Sequence, residues 1–289
     1  MLSIQEGCDK FCSFCVVPYT RGVEISRPAK QILNEAQELI DIGAKEIILL
    51  GQNVNAWSQS NGKDTDMTFA QLINEISELS IERIRYITSH PRDMTEELMR
   101  AHRDIEKLQP YLHLPVQSGS DKILKEMNRN YSSQEYIDII DKAREYKQDI
   151  AISGDFIVGF PGETDDDFEA TLDIVKRVKY AHAYSFKYSP RPGTPAALKD
   201  HQIDEEIKSE RLKTLQDLIR QQTRDFNSSF FEKEINVLIE KHGLGVNRLT
   251  GRSSYLQSVH MDGDPSFIGE IVKAKIIKTR DNSLEGIIL

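Results

Sequence analysis

The sequence is poor in cysteine and has no long apolar segment. Of its 289 residues, three are cysteine and one is tryptophan. No apolar run approaches the roughly 20 residues that a helix needs to cross a bilayer. The first residues carry neither a basic lead nor an apolar core, so we predict no secretory signal and a cytoplasmic location. Three clustered cysteines without a sign of export also disfavour a disulfide scaffold and favour metal or redox chemistry.

The sequence also lacks an excess of positive charge. Its formal net charge of −9 argues against a strongly basic surface for nucleic acid, although a local basic face is compatible with that total. Apolar residues make up 39% and charged residues 29% of the chain, as in globular proteins. The length suits one barrel-sized domain with a smaller second domain.

Short β-rich runs alternate with helical patterns over the first two thirds of the chain. Between the runs, apolar residues recur at spacings of three and four, as at Ile32, Ala36 and Leu39, which is typical of helices with one buried face. Six strands alternating with helices predict an α/β fold, a parallel sheet closed or partly closed into a (βα)6 barrel. The predicted strands are residues 2–5, 46–50, 84–88, 112–116, 152–158 and 184–188.

The last third of the chain has a different pattern. Apolar residues between about 204 and 226 lie on one face of a long charged helix, with Asp204 as its predicted N-cap. Short β-like runs separated by glycines follow and predict a small all-β barrel. We therefore divide the chain into residues 1–226, which include the long helix, and residues 227–289. The predicted strands of the second domain are 235–240, 257–261, 268–277 and 284–288.

All three cysteines lie in one loop directly after the first predicted strand. Cys8, Cys12 and Cys15 form the pattern Cys-x3-Cys-x2-Cys. Thiolates bind iron–sulfur clusters, and a set of three leaves one iron of a [4Fe–4S] cluster open. An open iron can bind the amino and carboxylate groups of a small molecule and pass an electron to it. Zinc is the alternative, but it requires a fourth ligand, and the nearest histidine is the distant His90.

This loop resembles the signature of the radical S-adenosylmethionine (radical SAM) superfamily. In that family an aromatic residue precedes the last cysteine, and Phe14 occupies this place here. The resemblance implies one [4Fe–4S] cluster on the three cysteines and reductive cleavage of S-adenosylmethionine (SAM) into a radical. It also implies that Phe14 lies near the adenine of SAM, although a phenylalanine of the core would look the same in the sequence.

Each later barrel strand is followed by a polar or glycine-bearing segment. The carboxyl ends of parallel barrel strands meet at one rim, where the active sites of such barrels lie. We therefore predict the active site at this rim, with Gln52, Gln117 and Ser118 hydrogen-bonded to the methionine end or the ribose of SAM. Each segment taken alone also suits an ordinary turn. The segments are residues 51–53, 89–91, 117–120, 159–164 and 189–195.

Five further polar residues at the rim allow more than one interpretation. Asp155 lies in an apolar strand, so it contacts cofactor or substrate, or pairs internally with an arginine. Ser120 either joins the site or caps the next helix. Glu163 resembles a helix start, and His90 and His113 are more often structural histidines than ligands.

Longer motifs are similar to the MiaB branch of the methylthiotransferases and cover nearly the whole chain. The branch places a methylthio group at C2 of N6-isopentenyladenosine-37 beside the tRNA anticodon. A deoxyadenosyl radical abstracts the C2 hydrogen, and a second SAM supplies the methyl group. The resemblance implies this reaction, with tRNA and a reducing electron-transfer protein as partners. The motifs are residues 4–8, 15–22, 51–55, 114–120, 155–164 and 188–195.

The predicted C-terminal barrel is similar to the TRAM domain, with which this branch holds RNA. Residues 227–289 contain five Lys and three Arg against eight Asp and Glu, a net charge of zero. Either the basic residues form one face for phosphates, or the barrel surface is neutral and solvated. The basic residues concerned are Lys241, Arg248, Arg252, Lys273 and Lys275.

The sequence departs from the family pattern at its start. Members of the family carry an N-terminal domain whose three further cysteines hold a second cluster for sulfur delivery, whereas this sequence begins at the strand before the radical cluster. We expect a fragment, a separately encoded N-terminal cluster domain, or loss of sulfur insertion. These residues alone are expected to cleave SAM without methylthiolation, as the catalytic and RNA-binding portion. Two other functions stay open, which are methylthiolation of a ribosomal protein and an inactive RNA-binding remnant.

Overall fold

The computed structural model describes residues 1–60 and 66–289, which form two barrels joined by a long helix. The strands of the first barrel are β1 Leu2–Ser3, β2 Glu46–Leu50, β3 Arg83–Tyr86, β4 Tyr111–His113, β5 Ala151–Val158 and β6 His182–Lys187. They form two parallel sheets, ordered β1-β2-β3 and β6-β5-β4. The sheets meet where Ile84 pairs with Leu108, so the predicted partial barrel of six strands is confirmed.

Helices cover the outer face of these strands. Five of them begin at a serine or threonine whose hydroxyl accepts a backbone N–H of the first turn. Within the described residues, no helix combines the length and apolar character needed to span a membrane. The helices are α1 Val17–Arg21, α2 Ala29–Asp41, α3 Phe69–Ser77, α4 Glu96–Asp104, α5 Asp121–Glu126, α6 Ser133–Tyr146, α7 Asp165–Val178 and α8 Glu205–Ser228.

Short elements complete the loops between these helices and strands. Gln5–Glu6 pairs with Ile25–Ser26, and Ser58–Gln59 pairs with Met67–Thr68, both antiparallel. Single 3-10 turns lie at Val54–Ala56, Pro91–Asp93, Pro195–Leu198 and Pro265–Phe267.

The two faces of β5 show how the barrel separates its core from its interior. Ile152, Phe156 and Val158 pack into the main apolar core between strands and helices. Successive strand residues point to opposite faces, so Ser153 and Asp155 point into the barrel. The apolar core that stabilises the domain therefore lies between the strands and the helices, and polar side chains such as Ser153 and Asp155 face the barrel interior.

Three predicted strands of the first barrel are shorter than expected. β1 ends at Ser3 rather than residue 5. β4 ends at His113 rather than residue 116, because Pro115 has no N–H to continue the ladder. A single bridge between Gln117 and Phe156 resumes the pairing. β3 ends at Tyr86, and Thr88 beyond it has a φ of 69°, which no strand accommodates.

The C-terminal barrel is closed and has five strands, one more than the sequence predicted. The missed strand is β8, whose residues lack the apolar alternation that predicts strands. Gly251 within it is required, because a Cβ there would lie 2.3 Å from the carbonyl oxygen of Leu238. The strands are β7 Glu234–His242, β8 Arg248–Ser253, β9 Ser258–Asp262, β10 Ile271–Thr279 and β11 Ser283–Ile288, in the order β7-β8-β9-β11-β10.

The C-terminal barrel packs against the end of the first barrel at which the strands begin. Arg85 of β3 donates to the carbonyl oxygens of Ser253 (2.7 Å) and Ser254 (2.8 Å) and pairs with Glu46 at 2.8 Å. Tyr255 donates to Asp149, directly before β5, at 2.6 Å. The long helix α8 ends at Ser228 and β7 begins at Glu234. The division after residue 226 stays a prediction.

Candidate active site

The cysteine loop lies at the carboxyl end of the strands, opposite the C-terminal barrel. Gly7 opens the loop with a φ of 74°, and a Cβ on it would lie 1.9 Å from the carbonyl oxygen of Val23. Only glycine fits this close approach. Gln5 and Gln52 tie the loop to the segment after β2. Gln52 Oε1 accepts from Gly7 N at 2.7 Å, and Gln5 Oε1 accepts from Gln52 N at 2.8 Å.

The middle of the loop is held from the other side of the barrel. Ser13 N donates to the carbonyl oxygen of Met127 at 3.0 Å, and Ser13 O accepts from Ala196 N at 2.9 Å. Asn128 Nδ2 donates to the carbonyl oxygen of Phe11 at 2.9 Å. The loop is therefore fixed by segments that follow β4 and β6, and its cysteines are positioned before any ligand binds.

A buried arginine contacts the central cysteine. Arg129 Nη1 lies 3.4 Å from Cys12 Sγ, while its Nη2 donates to the carbonyl oxygen of Pro115 at 2.6 Å. A guanidinium is always charged in proteins, so Arg129 brings a positive charge to the buried side of the loop. Burial raises the pKa of the Cys8 and Cys15 thiols. Metal binding would displace those protons, because the thiolate is the ligand.

The cysteines line a cavity of about 200 Å³ at the mouth of the barrel. Among the described residues, no three His, Cys, Asp or Glu side chains converge on a point suited to a single metal ion. In a four-iron cluster each thiolate binds a different iron, so convergence on one point is not required. The lining residues are Cys8, Lys10, Cys12, Phe14, Cys15, Val17, Gln52, Asn53, Thr88, Ser89, His90, His113, Pro115, Gln117, Arg129 and Asp155.

Four of the five predicted cofactor-binding residues line this cavity, namely Phe14, Gln52, Gln117 and Asp155. Phe14 also packs against a small apolar cluster, as a phenylalanine of the core would, and its position near the adenine of SAM stays a prediction. Gln117 has a φ of 79°, a strained conformation that is concentrated at ligand sites. Asp155 Oδ2 lies 3.5 Å from His113 Nε2, so the internal partner that one of its two interpretations assigned to an arginine is a histidine.

The fifth predicted residue, Ser118, is fully buried and is not among the lining residues. Its hydroxyl lies 3.3 Å from Thr171 Oγ1 and accepts from Ser120 N at 3.2 Å. This placement favours a structural role, and its contact with SAM stays a prediction. Ser120 caps α5 through Ile123 N.

Glu163 does not contribute to the cavity either. Its buried carboxylate pairs with Arg211 of α8 at 2.7 Å and accepts from Gly159 N at 2.7 Å. This contact holds the long helix against the first barrel. It is compatible with the interpretation of Glu163 as part of a helix start.

Sequence reasoning missed two features of the site. The Arg129 contact carries no signal in the sequence, because Arg129 reaches Cys12 from 117 residues away. Ser89 Oγ and His90 Nε2 are buried in the cavity wall and have no hydrogen-bond partner among the described residues. Burial lowers the pKa of His90 to about 2, so the ring is neutral. Its Nδ1 accepts from Arg92 N at 3.2 Å, which places the remaining hydrogen on Nε2 as an unused donor.

A partial α/β barrel with a three-cysteine loop at the carboxyl ends of its strands defines a class of protein. Comparison with known families identifies that class. Residues 2–175 match the model of the radical SAM superfamily, and residues 232–289 match that of the TRAM domain. The chain belongs to the radical SAM superfamily. Membership implies a [4Fe–4S] cluster and SAM.

The resemblance to the MiaB branch is confirmed by a curated relative. The chain is 55% identical over 284 residues to tRNA-2-methylthio-N(6)-dimethylallyladenosine synthase of Agrobacterium fabrum. The match covers 98% of this chain and 62% of the relative, so the chain spans less than two thirds of that protein's length.

Solved structures support the fold. A radical SAM methyltransferase from Kitasatospora setae, with cobalamin and a [4Fe–4S] cluster bound, aligns with a TM-score of 0.56 at 17% identity, over 68% of this chain and 38% of that one. Coproporphyrinogen III oxidase from Escherichia coli aligns with a TM-score of 0.54 at 16% identity, over 100% of this chain and 71% of that one.

Proposed function

We propose that this chain is the catalytic and RNA-binding portion of a methylthiotransferase that acts on N6-isopentenyladenosine-37 of tRNA. The observation that carries the proposal is the cysteine cavity, in which three thiols, a buried arginine and unpartnered donors face one space. The relative's printed name gives the reaction, and 55% identity over nearly the whole chain supports carrying it to this protein.

Cys8, Cys12 and Cys15 are the proposed ligands of the cluster. Their donor chemistry fits, since iron–sulfur clusters are held by thiolates and this loop offers three within eight residues. When bound, the cluster supplies the electron that cleaves SAM into methionine and the radical that abstracts the C2 hydrogen. Arg129 offsets the negative charge that the thiolates bring into a buried site.

The remaining cavity residues fit a molecule with many polar groups. Within residues 1–60 and 66–289, Ser89 Oγ and His90 Nε2 lack partners, and burying such groups without a hydrogen bond costs about 1–3 kcal/mol each. A bound SAM provides acceptors for them. Gln117 and Asp155 are the proposed contacts for the ribose or the methionine end, and Phe14 for the adenine. A reducing electron-transfer protein is the proposed partner beside tRNA.

The function is tested by the full gene in a deletion strain. We expect the 2-methylthio group to be absent from tRNA adenosines of the deletion strain and restored by the wild-type gene, as measured by mass spectrometry. The Cys12→Ala variant restores nothing, whereas Thr20→Ala, an exposed hydroxyl in the same segment, restores it fully. A deletion strain whose tRNA keeps the 2-methylthio group, but whose ribosomal-protein peptides lack their methylthio group, would instead assign the sister activity on a ribosomal protein.

The cluster is tested on the purified chain. After anaerobic reconstitution we expect about four irons per chain and 5′-deoxyadenosine upon reduction with SAM. Cys12→Ala should lose the iron with its circular dichroism spectrum unchanged. RNA binding without any 5′-deoxyadenosine would identify an inactive remnant.

A further inference from the structure

The concave face of the first barrel carries a row of rings along its open edge. His182, Tyr184 and Phe186 alternate along β6 and therefore share one face. Lys187 bonds Glu205 of α8, so the other face of β6 points toward the helix. The three rings consequently point into the barrel. We call them the ring ladder.

Two members of the ring ladder are exposed although they are large. Tyr184 is 52% and Phe186 is 55% exposed. Within the described sheets β6 is an edge strand, so these two rings have a neighbouring strand on one side and none on the other. Adjacent exposed aromatic side chains on a sheet face mark an interaction surface.

The end of the ring ladder at Phe186, which we call its upper end, meets the cysteine cavity. Phe186 is in register with Ile157, which belongs to the same small apolar cluster as Phe14. Tyr184 is in register with Asp155, a residue of the cavity wall. The ladder therefore begins at the place where SAM is proposed to bind.

The lower end of the ladder meets a second cavity, of about 190 Å³, between the two barrels. His182 and Tyr184 line it from the first barrel. Four residues of strand span roughly 13 Å, so the ladder bridges the two cavities over a short distance. The second cavity presents hydrogen-bond donors and rings from both domains, among them Tyr111, Arg252, Tyr255, Gln257 and Asn282.

A single-stranded RNA fits this surface better than a protein segment. Sheet faces with exposed aromatic side chains bind RNA by stacking successive bases, which requires rings at intervals along a strand. The exposed Arg191 after β6 provides positive charge for phosphates, and Arg252 at the lower cavity adds a guanidinium whose Nε lies 3.5 Å from Glu240. The target adenine must enter the cysteine cavity, so the bases beside it reach the start of the ladder.

We propose that Tyr184 and Phe186 stack on the bases that flank the target adenosine, and that the second cavity receives the strand beyond them. This inference rests on the proposed function. It assigns recognition of the RNA loop to the barrel edge as well as to the TRAM domain.

The test measures the affinity of the full-length protein for a synthetic anticodon stem–loop containing N6-isopentenyladenosine. Stacking on one aromatic side chain corresponds to about a tenfold change in Kd, so Tyr184→Ala and Phe186→Ala should each weaken binding about tenfold and the double variant further. Tyr184→Phe should retain wild-type affinity. Ile42→Ala removes an apolar side chain that is 82% exposed at the end of α2, outside the ladder and the TRAM domain, and serves as the control.

The outcomes separate the ladder from the function. Wild-type binding that stays unchanged in the double variant overturns the role of the ladder and leaves the proposed function intact. A wild-type protein that does not bind the stem–loop contradicts both. As an independent readout, 4-thiouridine next to the target adenosine should crosslink to the β6 peptide of the wild-type protein. Crosslinks confined to the TRAM domain would overturn the proposal even if a variant failed to fold.

Discussion

Two buried polar sites, one at each end of the six-stranded barrel, differ in how their hydrogen bonds are satisfied. At the end where the strands begin, Arg85 is almost fully buried, and its guanidinium bonds Glu46 and two carbonyl oxygens of the C-terminal barrel. At the end where the strands finish, Ser89 and His90 are equally buried, yet each has a polar atom without a partner. Near the strand starts two other buried atoms also lack partners among the described residues, so the contrast is between these two sites and not between whole ends. The two atoms are Arg83 Nη2 and Gln109 Oε1.

This difference separates a docking surface from a ligand site. A satisfied buried group stabilises the arrangement of the two domains, whereas an unsatisfied one lowers the free energy of unfolding. Such a cost is retained where the missing partner is a ligand. Three changes test this interpretation, one at the docking end and two at the cavity.

The largest effect is expected at the docking end. Arg85→Ala leaves the buried carboxylate of Glu46 without its partner, which costs about 3–5 kcal/mol of the free energy of unfolding. Urea or thermal unfolding followed by circular dichroism measures this loss. Arg177→Ala removes an exposed pair with Asp141 and should change the free energy by at most about 0.5 kcal/mol. Similar losses in the two variants would contradict the interpretation of Arg85 as a satisfied buried group that stabilises the fold.

The second effect concerns how the free energy of unfolding depends on pH through His90 in the cavity wall. The folded pKa of His90 is about 2, below the usual 6.5, so the unfolded chain takes up a proton below pH 6.5 that the folded chain does not. The free energy of unfolding therefore falls as the pH falls through this range, by about 2 kcal/mol between pH 7 and pH 5 from this residue.

The variant His90→Gln should lose that part of the pH dependence, because glutamine does not titrate. His242→Gln, at an exposed position in β7, should keep the wild-type profile. Unfolding curves at both pH values decide, and identical slopes in wild type and His90→Gln would exclude the neutral buried ring.

The third change, Ser89→Ala, is expected to have the smallest effect on stability and gives the clearest test of the difference between the two sites. Ser89→Ala removes an unpartnered buried hydroxyl, so the free energy of unfolding should stay within about 1 kcal/mol of wild type or rise. The affinity of the reconstituted protein for SAM should fall about threefold to tenfold, as expected for one lost hydrogen bond. Calorimetry with SAM measures it. A clear loss of stability with unchanged SAM affinity would assign Ser89 to the fold instead.

The sequence by itself determined the local features of this protein. The cysteine spacing, the alternation of strands and helices and the capping residues are each written within a few neighbouring positions, so periodicity and motif were enough to predict a partial barrel with Phe14, Gln52, Gln117 and Asp155 at its rim. It did not reveal β8, whose glycine and polar residues form a strand only because neighbouring strands accept their hydrogen bonds.

The tertiary structure decided whatever depends on residues far apart in the chain. It brought Arg129 to Cys12 across 117 residues, gave Asp155 a histidine partner, buried Ser118 beneath the rim and left Ser89 and His90 without partners. The physical reason is that the satisfaction of a polar group is a property of its surroundings. A serine or histidine looks the same in a sequence whether the fold supplies its hydrogen bond or leaves it for a ligand.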